Sequence, residues 1–241
     1  MFFKNEFKMG IKDVGIDNKI KNKAILEILE NTATYHADLV GGGIKNIQEI
    51  KTTWVLLEWK FKVLNRPKYG QNLTAITWGR DMQKAYTYRD FEIYDENKKI
   101  CVIATSKWAL IDLTRNRPMR ITEVVVSKYE PETKCVFNEV NIAKIKMPEN
   151  FSNFLDYKVA RRDIDLNGHM HNLYYLDLAY EVLPEEFYKN KFYDNIQISY
   201  KKEAKLGDIV RCKYAKDGEK HKVVIVNAED ENIVHAVIEL Y

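Results

Sequence analysis

The chain has 241 residues, 46% hydrophobic and 30% charged, which is enough for one large domain or two small ones. Apolar runs such as Trp54-Val55-Leu56-Leu57 and Val223-Val224-Ile225-Val226 fall far short of the roughly 20 residues of a membrane span. An aromatic content of 12% excludes a disordered chain, and Lys+Arg 38 against Asp+Glu 35 leaves only +3, too little to imply nucleic acid.

The opening residues Met1-Phe2-Phe3-Lys4-Asn5-Glu6 interleave charge with aromatics and lack the apolar segment of a secretion signal. Cys101, Cys135 and Cys212 are odd in number and far apart, so neither a disulfide framework nor a zinc knuckle is suggested. Cys212 falls on the apolar side of a strict alternation and reads as a small buried hydrophobe. Reduced cytoplasm is the expected compartment.

The first periodic segment is 23–39, where Ile25, Ile28, Leu29, Thr32, Ala33 and His36 fall on one helical stripe. Gly41-Gly42-Gly43 follows without the Gly-Lys-Ser/Thr of a phosphate loop and reads as a turn. Strands are expected over 52–64, 72–80, 86–94 and 100–112, from their β-branched and aromatic content. The stretch 127–153 carries Pro131 and Pro148 without clear period. A second helix is expected over 171–183, stopped by Pro184, followed by strands over 195–202, 208–214, 222–228 and 233–240.

One helix and about four strands therefore occur twice. Tyr69-Gly70-Gln71 recurs 137 residues on as Leu206-Gly207-Asp208, and Asp95-Glu96-Asn97 recurs 135 residues on as Asp230-Glu231-Asn232, each at an expected turn. At the helices the offset is nearer 150, pairing Asn22 with Asn172 and Asp13 with Asp163. The expected class is α+β: a tandem double hot-dog, each long antiparallel sheet wrapped around a central helix. Residues 1–130 would form the first domain, 131–153 a linker, and 154–241 the second domain.

The densest polar cluster is Arg162-Asp163-Ile164-Asp165-Leu166-Asn167-Gly168-His169-Met170-His171-Asn172, leading into the second helix. Helix-start amides carry the positive end of the dipole and can stabilise an oxyanion; the competing reading is ordinary N-capping. His169 and His171 could form half of a metal site, but no third ligand stands at a supporting spacing, so no metal is expected. The first copy has Lys19 near the His169 position and no His, which points to one site per chain.

Asp165-x-Asn167-x-His169-x-x-Asn172 resembles the active-site segment of acyl-acyl-carrier-protein thioesterases, the plant plastid enzymes and their bacterial relatives. Trp54-Val55-Leu56-Leu57, Thr77-Trp78, Arg89-Asp90-Phe91, Ala104-Thr105-Ser106-Lys107-Trp108 and Arg115-Asn116-Arg117-Pro118 resemble that family's first-half landmarks in order. Where the plant enzymes carry a basic-basic-Glu-Cys segment this chain reads Lys201-Lys202-Glu203-Ala204, so a cysteine nucleophile is not expected there. A plastid transit segment is not seen, which fits a bacterial enzyme.

The resemblance implies hydrolysis of fatty acyl thioesters of acyl carrier protein, ending chain elongation without a cofactor. Glu203 would take a proton from water that Asn167 positions; His169 would orient or polarise the thioester, and Asp165 would fix its neighbours. Asn172, Trp54, Arg161, Arg162, Lys201 and Lys202 are the expected substrate contacts: Trp54 for the acyl chain, with Trp59, Trp78 and Trp108 nearby, and the basic residues for the acidic carrier. Lys205, Arg211 and Lys213 extend that basic region. No membrane partner is expected, and a homodimer is left open. An acyl-CoA thioesterase on the same fold and a non-catalytic acyl-binding module are the alternative readings.

Overall fold

Each half of the chain begins with a short strand that the hydropathy pattern does not announce. β1 (Phe3–Lys8) and β7 (Asn153–Lys158) alternate half-buried and exposed positions, so neither accumulates the apolar content that marks an interior strand. The structure is a computed structural model and describes residues 1–139, 141–189 and 192–241. It divides into two units, Met1–Ile142 and Ala143–Tyr241.

In the first unit β1 leads through a 3₁₀ turn (Ile11–Asp13) to α1 (Asn22–Leu39), a second 3₁₀ turn (Ile44–Asn46) and the short α2 (Ile47–Ile50). Then come β2 (Thr52–Val63), β3 (Asn72–Gln83), β4 (Tyr86–Asp95), β5 (Ile100–Asp112), the two-residue β6 (Arg117–Pro118) and α3 (Glu123–Tyr129). All pairings are antiparallel, in the order β1-β3-β4-β5-β2, with β6 on β5. The expected stripe of α1 is buried at all six positions, Ile25 to His36. Each buried Ile or Leu contributes roughly 1.5–3 kcal/mol. The helix stops at the triple glycine, where a Cβ on Gly43 would lie 2.5 Å from the Asp38 amide nitrogen.

The second unit repeats this plan. After β7 a 3₁₀ turn (Arg161–Asp163) leads to α4 (Asn172–Glu181), α5 (Glu185–Lys189), β8 (Asn195–Tyr200), β9 (Ile209–Asp217), β10 (Lys220–Asn227) and β11 (Val234–Leu240). The order is β8-β11-β10-β9-β7, again all antiparallel, and strand for strand it matches the first unit. β10 is buried on both faces, which explains its unbroken Val-Val-Ile-Val run. Val224 and Val226 lie with Val237 under Ile145 and Phe151.

The repeated turns are the same structure twice. Gly70 and Gly207 have φ of 83° and 88°, and each donates its amide over 3.0 Å to the carbonyl just past the end of β1 or β7, at Met9 and Val159. Asn97 and Asn232 donate their amides to the Asp95 and Asp230 carboxylates at 2.9 and 3.1 Å. Segment 131–153 is shared between the units. The amide of Val136 bonds Asp90 Oδ2 at 3.0 Å in the first, while Ile145 and Phe151 pack on the second.

Candidate active site

The polar segment before α4 folds as a tight hairpin. The Asp165 amide donates to the His169 carbonyl at 2.8 Å, the Gly168 amide donates to the Asp165 carbonyl at 3.1 Å, and Gly168 sits at φ +78°. That left-handed conformation suits glycine, which has no Cβ to clash. Asp165 Oδ1 accepts the amides of Asn167 at 2.8 Å and His169 at 3.2 Å. The Asn167 side-chain nitrogen lies 3.5 Å from Asp165 Oδ2, the outer limit of a hydrogen bond. The carboxylate thus shapes the loop that carries both Asn167, which is exposed, and His169, which is half-buried.

A buried residue anchors the hairpin from below. Asp163 is 2% exposed; its Oδ2 accepts the Ala160 amide and the Tyr157 hydroxyl, both at 2.7 Å, and its carbonyl accepts the His171 amide at 2.8 Å. Asp13 repeats the pattern in the first unit, taking the Gly10 amide at 2.8 Å and the Lys21 amide at 2.9 Å.

The second half of the cluster comes from the β8–β9 connection. The Met170 amide donates to the Ala204 carbonyl at 2.8 Å, and His169 pairs with Lys205 in a β-bridge. Asp165, Asn167, His169 and Glu203 are thereby drawn onto two adjoining turns, with the Glu203 side chain exposed. Tyr175 of α4, 2% exposed, lies beneath and is absent from the sequence-based assignment. Its hydroxyl accepts the Ala204 amide at 3.2 Å. Burial, then the charges of Glu203, Asp208 and Asp165, push the phenol up to about 12. Its place on the buried helical face was the one signal the sequence offered.

The capping reading of the helix start is seen at its first turn: His171 is the N-cap, its Nδ1 accepting the Leu173 amide at 3.3 Å, and the Tyr174 amide donates to the His171 carbonyl at 3.0 Å. The imidazole takes one of these two donors and the His171 backbone carbonyl the other. Asn172 opens α4, and its carbonyl accepts the Tyr200 hydroxyl at 3.2 Å.

The basic residues divide into two groups. Arg161, Arg162, Lys201, Lys202 and Lys205 are exposed, Arg162 with its Nε 3.7 Å from Asp163 Oδ1. Arg211 and Lys213, by contrast, are neutralised within the sheet face. Arg211 bonds both oxygens of Asp156 at 2.7 and 2.8 Å, and Lys213 reaches Glu231 at 2.8 Å. Alternation along β9 puts these two cations on one face with the acids, so they do not extend the basic region as expected.

Trp54 belongs to the first unit, where its indole donates to the Tyr129 hydroxyl at 2.9 Å. Tyr129 stands edge-on to His36, and Arg89 Nη1 lies 2.8 Å from His36 Nδ1. Arginine only donates, so Nδ1 accepts and the neutral ring carries its proton on Nε2. Burial, reinforced by the Arg89 charge, brings the imidazole down to about 3. Trp59 and Trp78 are core residues, 1% and 0% exposed, and Trp108 bonds Ser106 Oγ at 2.6 Å. Cys212 is buried, as expected, and burial pushes its thiol up to about 12.

The fold and the two-turn site define a class, a double hot-dog carrying one polar cluster. Residues 1–129 match the family model of the acyl-ACP thioesterase N-terminal domain, and residues 146–240 match that of the C-terminal domain. The chain belongs to the acyl-ACP thioesterase family. It is 25% identical over 225 residues to oleoyl-acyl carrier protein thioesterase 2 of Arabidopsis thaliana, covering 86% of this chain and 61% of that protein. The chain thus spans about three-fifths of the length of such plant relatives. Its fold matches the crystal structure of an acyl-ACP thioesterase from Bacteroides thetaiotaomicron, with TM-score 0.89, 22% identity and coverage of 99% and 96% of the two chains. The 12:0-ACP thioesterase of Umbellularia californica matches with TM-score 0.87, 17% identity and coverage of 99% and 96%.

Proposed function

We propose that this protein hydrolyses fatty acyl thioesters of acyl carrier protein to free fatty acid and carrier protein, using Asp165, Asn167, His169 and Glu203. The observation that carries the reading is the bond from the Met170 amide to the Ala204 carbonyl at 2.8 Å, which lays the His169 turn against the Glu203 turn. Glu203 accepts a proton as water attacks the thioester carbonyl. Asn167 positions that water, and His169 orients or polarises the thioester. Collapse of the tetrahedral intermediate breaks the carbon–sulfur bond, and the proton held by Glu203 passes to the departing thiolate. Asp165 holds the hairpin rather than the proton. Ala204, fully buried, stands where the plant pattern has cysteine, so water rather than a side-chain sulfur is the nucleophile.

The exposed cations Arg161, Arg162, Lys201, Lys202 and Lys205 border these turns and suit an acidic carrier domain. The test is release of free fatty acid from a panel of acyl-carrier-protein chain lengths, run beside the matching acyl-CoA esters and beside His169→Ala. Higher kcat/KM on carrier thioesters, lost in His169→Ala, is expected. Equal or higher kcat/KM on acyl-CoA would transfer the enzyme to that substrate class, and acyl binding without release of acid would make it a binding module.

A further inference from the structure

Glu203 is exposed on a turn, yet the peptide groups on both sides of it are held by buried polar rings. On one side stands His235 of β11, 2% exposed, with Nδ1 2.9 Å from the Lys202 carbonyl oxygen. A carbonyl only accepts, so Nδ1 carries the proton; Nε2 is buried with no hydrogen-bond partner among the described residues. On the other side is Tyr175, whose hydroxyl accepts the Ala204 amide at 3.2 Å.

The first unit provides an internal comparison. There the Leu64 amide donates to the Cys101 carbonyl at 2.8 Å, the counterpart of the Lys201 amide donating to the His235 carbonyl at 2.8 Å. The Ile20 amide donates to the Pro67 carbonyl at 2.9 Å, the counterpart of the Met170–Ala204 bond. These matches set Cys101 in the place of His235, Ile25 in that of Tyr175, and Arg66 in that of Glu203. The same backbone forms over two apolar residues, so the architecture does not require either polar ring. They occur in the copy that carries Glu203.

We propose that Tyr175 and His235 are positioning residues that clamp the peptide groups flanking Glu203 and so aim its carboxylate; the proposal rests on Glu203 being the base. The test is steady-state kinetics on acyl carrier protein thioesters, with thermal melts to confirm folding. Tyr175→Phe and His235→Leu are each expected to lower kcat about tenfold or more while KM moves less than about threefold. His235→Asn, whose side-chain NH₂ can take the place of Nδ1–H, is expected to recover kcat to within about threefold, and His235→Gln is not. In a Glu203→Gln background neither Tyr175→Phe nor His235→Leu should slow the residual rate further.

Wild-type kcat in Tyr175→Phe or His235→Leu, an Asn variant as slow as Leu, or a further loss in the Glu203→Gln background would each overturn the clamp. Tyr175→Phe keeps the ring volume, so it carries the test where His235→Leu does not fold. Wild-type turnover in Glu203→Gln itself would remove the base. An inactive Glu203→Gln beside a fully active His235→Leu would sink the clamp alone.

Discussion

The Asp165 carboxylate accepts the backbone amide of His169 at 3.2 Å, while the Asp165 amide donates to the His169 carbonyl at 2.8 Å. The two residues close one loop through side chain and backbone together. Asp165→Ala removes the acceptor for two amides, and kcat is expected to fall roughly 10–100-fold by loss of loop geometry. Asp165→Asn keeps one carbonyl oxygen and should fall less. The melting temperature should barely move in either variant, because the turn lies at the surface. Kinetics and a thermal melt on the same samples check both statements.

Glu203→Gln and His169→Ala bear on the chemical step. Each is expected to lower kcat by about 10²–10⁴-fold with KM for the carrier thioester little changed. Glu203→Asp, which retains a base but shortens the reach, should lie between Gln and wild type.

Charge reversal separates the two basic groups. Lys201→Glu with Lys202→Glu should lower kcat/KM at low salt, with the deficit shrinking as salt rises, as steering predicts. Lys213→Glu should leave kcat/KM within about twofold, since its cation faces Glu231 at 2.8 Å. Its cost appears in stability, because the reversal sets a second carboxylate against Glu231. The salt series on both variants is the measurement.

His36 makes the fold acid-sensitive. Its folded value is about 3 against 6.5 for the free group, so the folded state holds a neutral ring where the unfolded chain binds a proton. The stability it contributes is complete above about pH 6.5 and is lost as pH falls from there toward 3. The full shift corresponds to on the order of 5 kcal/mol. His36→Asn offers Arg89 an oxygen acceptor and does not titrate. Denaturant unfolding across this range should give a flatter dependence on pH for the variant, and equal slopes would dismiss His36 as the sensor.

Asp163 carries the hairpin's foundation. Asp163→Ala leaves the Tyr157 hydroxyl and the Ala160 amide without their acceptor, and a loss of about 1–3 kcal/mol is expected in denaturant unfolding. Asp13→Ala should give a smaller loss, since only the Gly10 amide loses its acceptor, and should leave turnover untouched, because the first copy has Lys19 and Arg66 where the second has His169 and Glu203.

Most of the architecture was legible because it rests on period. The buried stripe of α1 and the strands 52–63 and 100–112 stand out by spacing and β-branched content, and the repeated turns by offset. β1 and β7 were passed over because edge strands such as FKNEFK and NFLDYK bury only half of one face. α3, of seven residues, lies mostly ahead of the 127–153 stretch, where no element was expected.

The sequence by itself determined the double hot-dog and its duplication and singled out the polar run around Asp165, Asn167 and His169, since periodicity and residue chemistry are local properties; Glu203 came from the resemblance. Only the tertiary structure decided which hydrogen-bond donors are already engaged and which charges are already paired. His171 caps its own helix, Arg211 is held by Asp156, and Tyr175 and His235 meet the turn of Glu203 from elements distant in the chain. A partner brought near by folding leaves no spacing to read, so those four assignments had to wait for the fold.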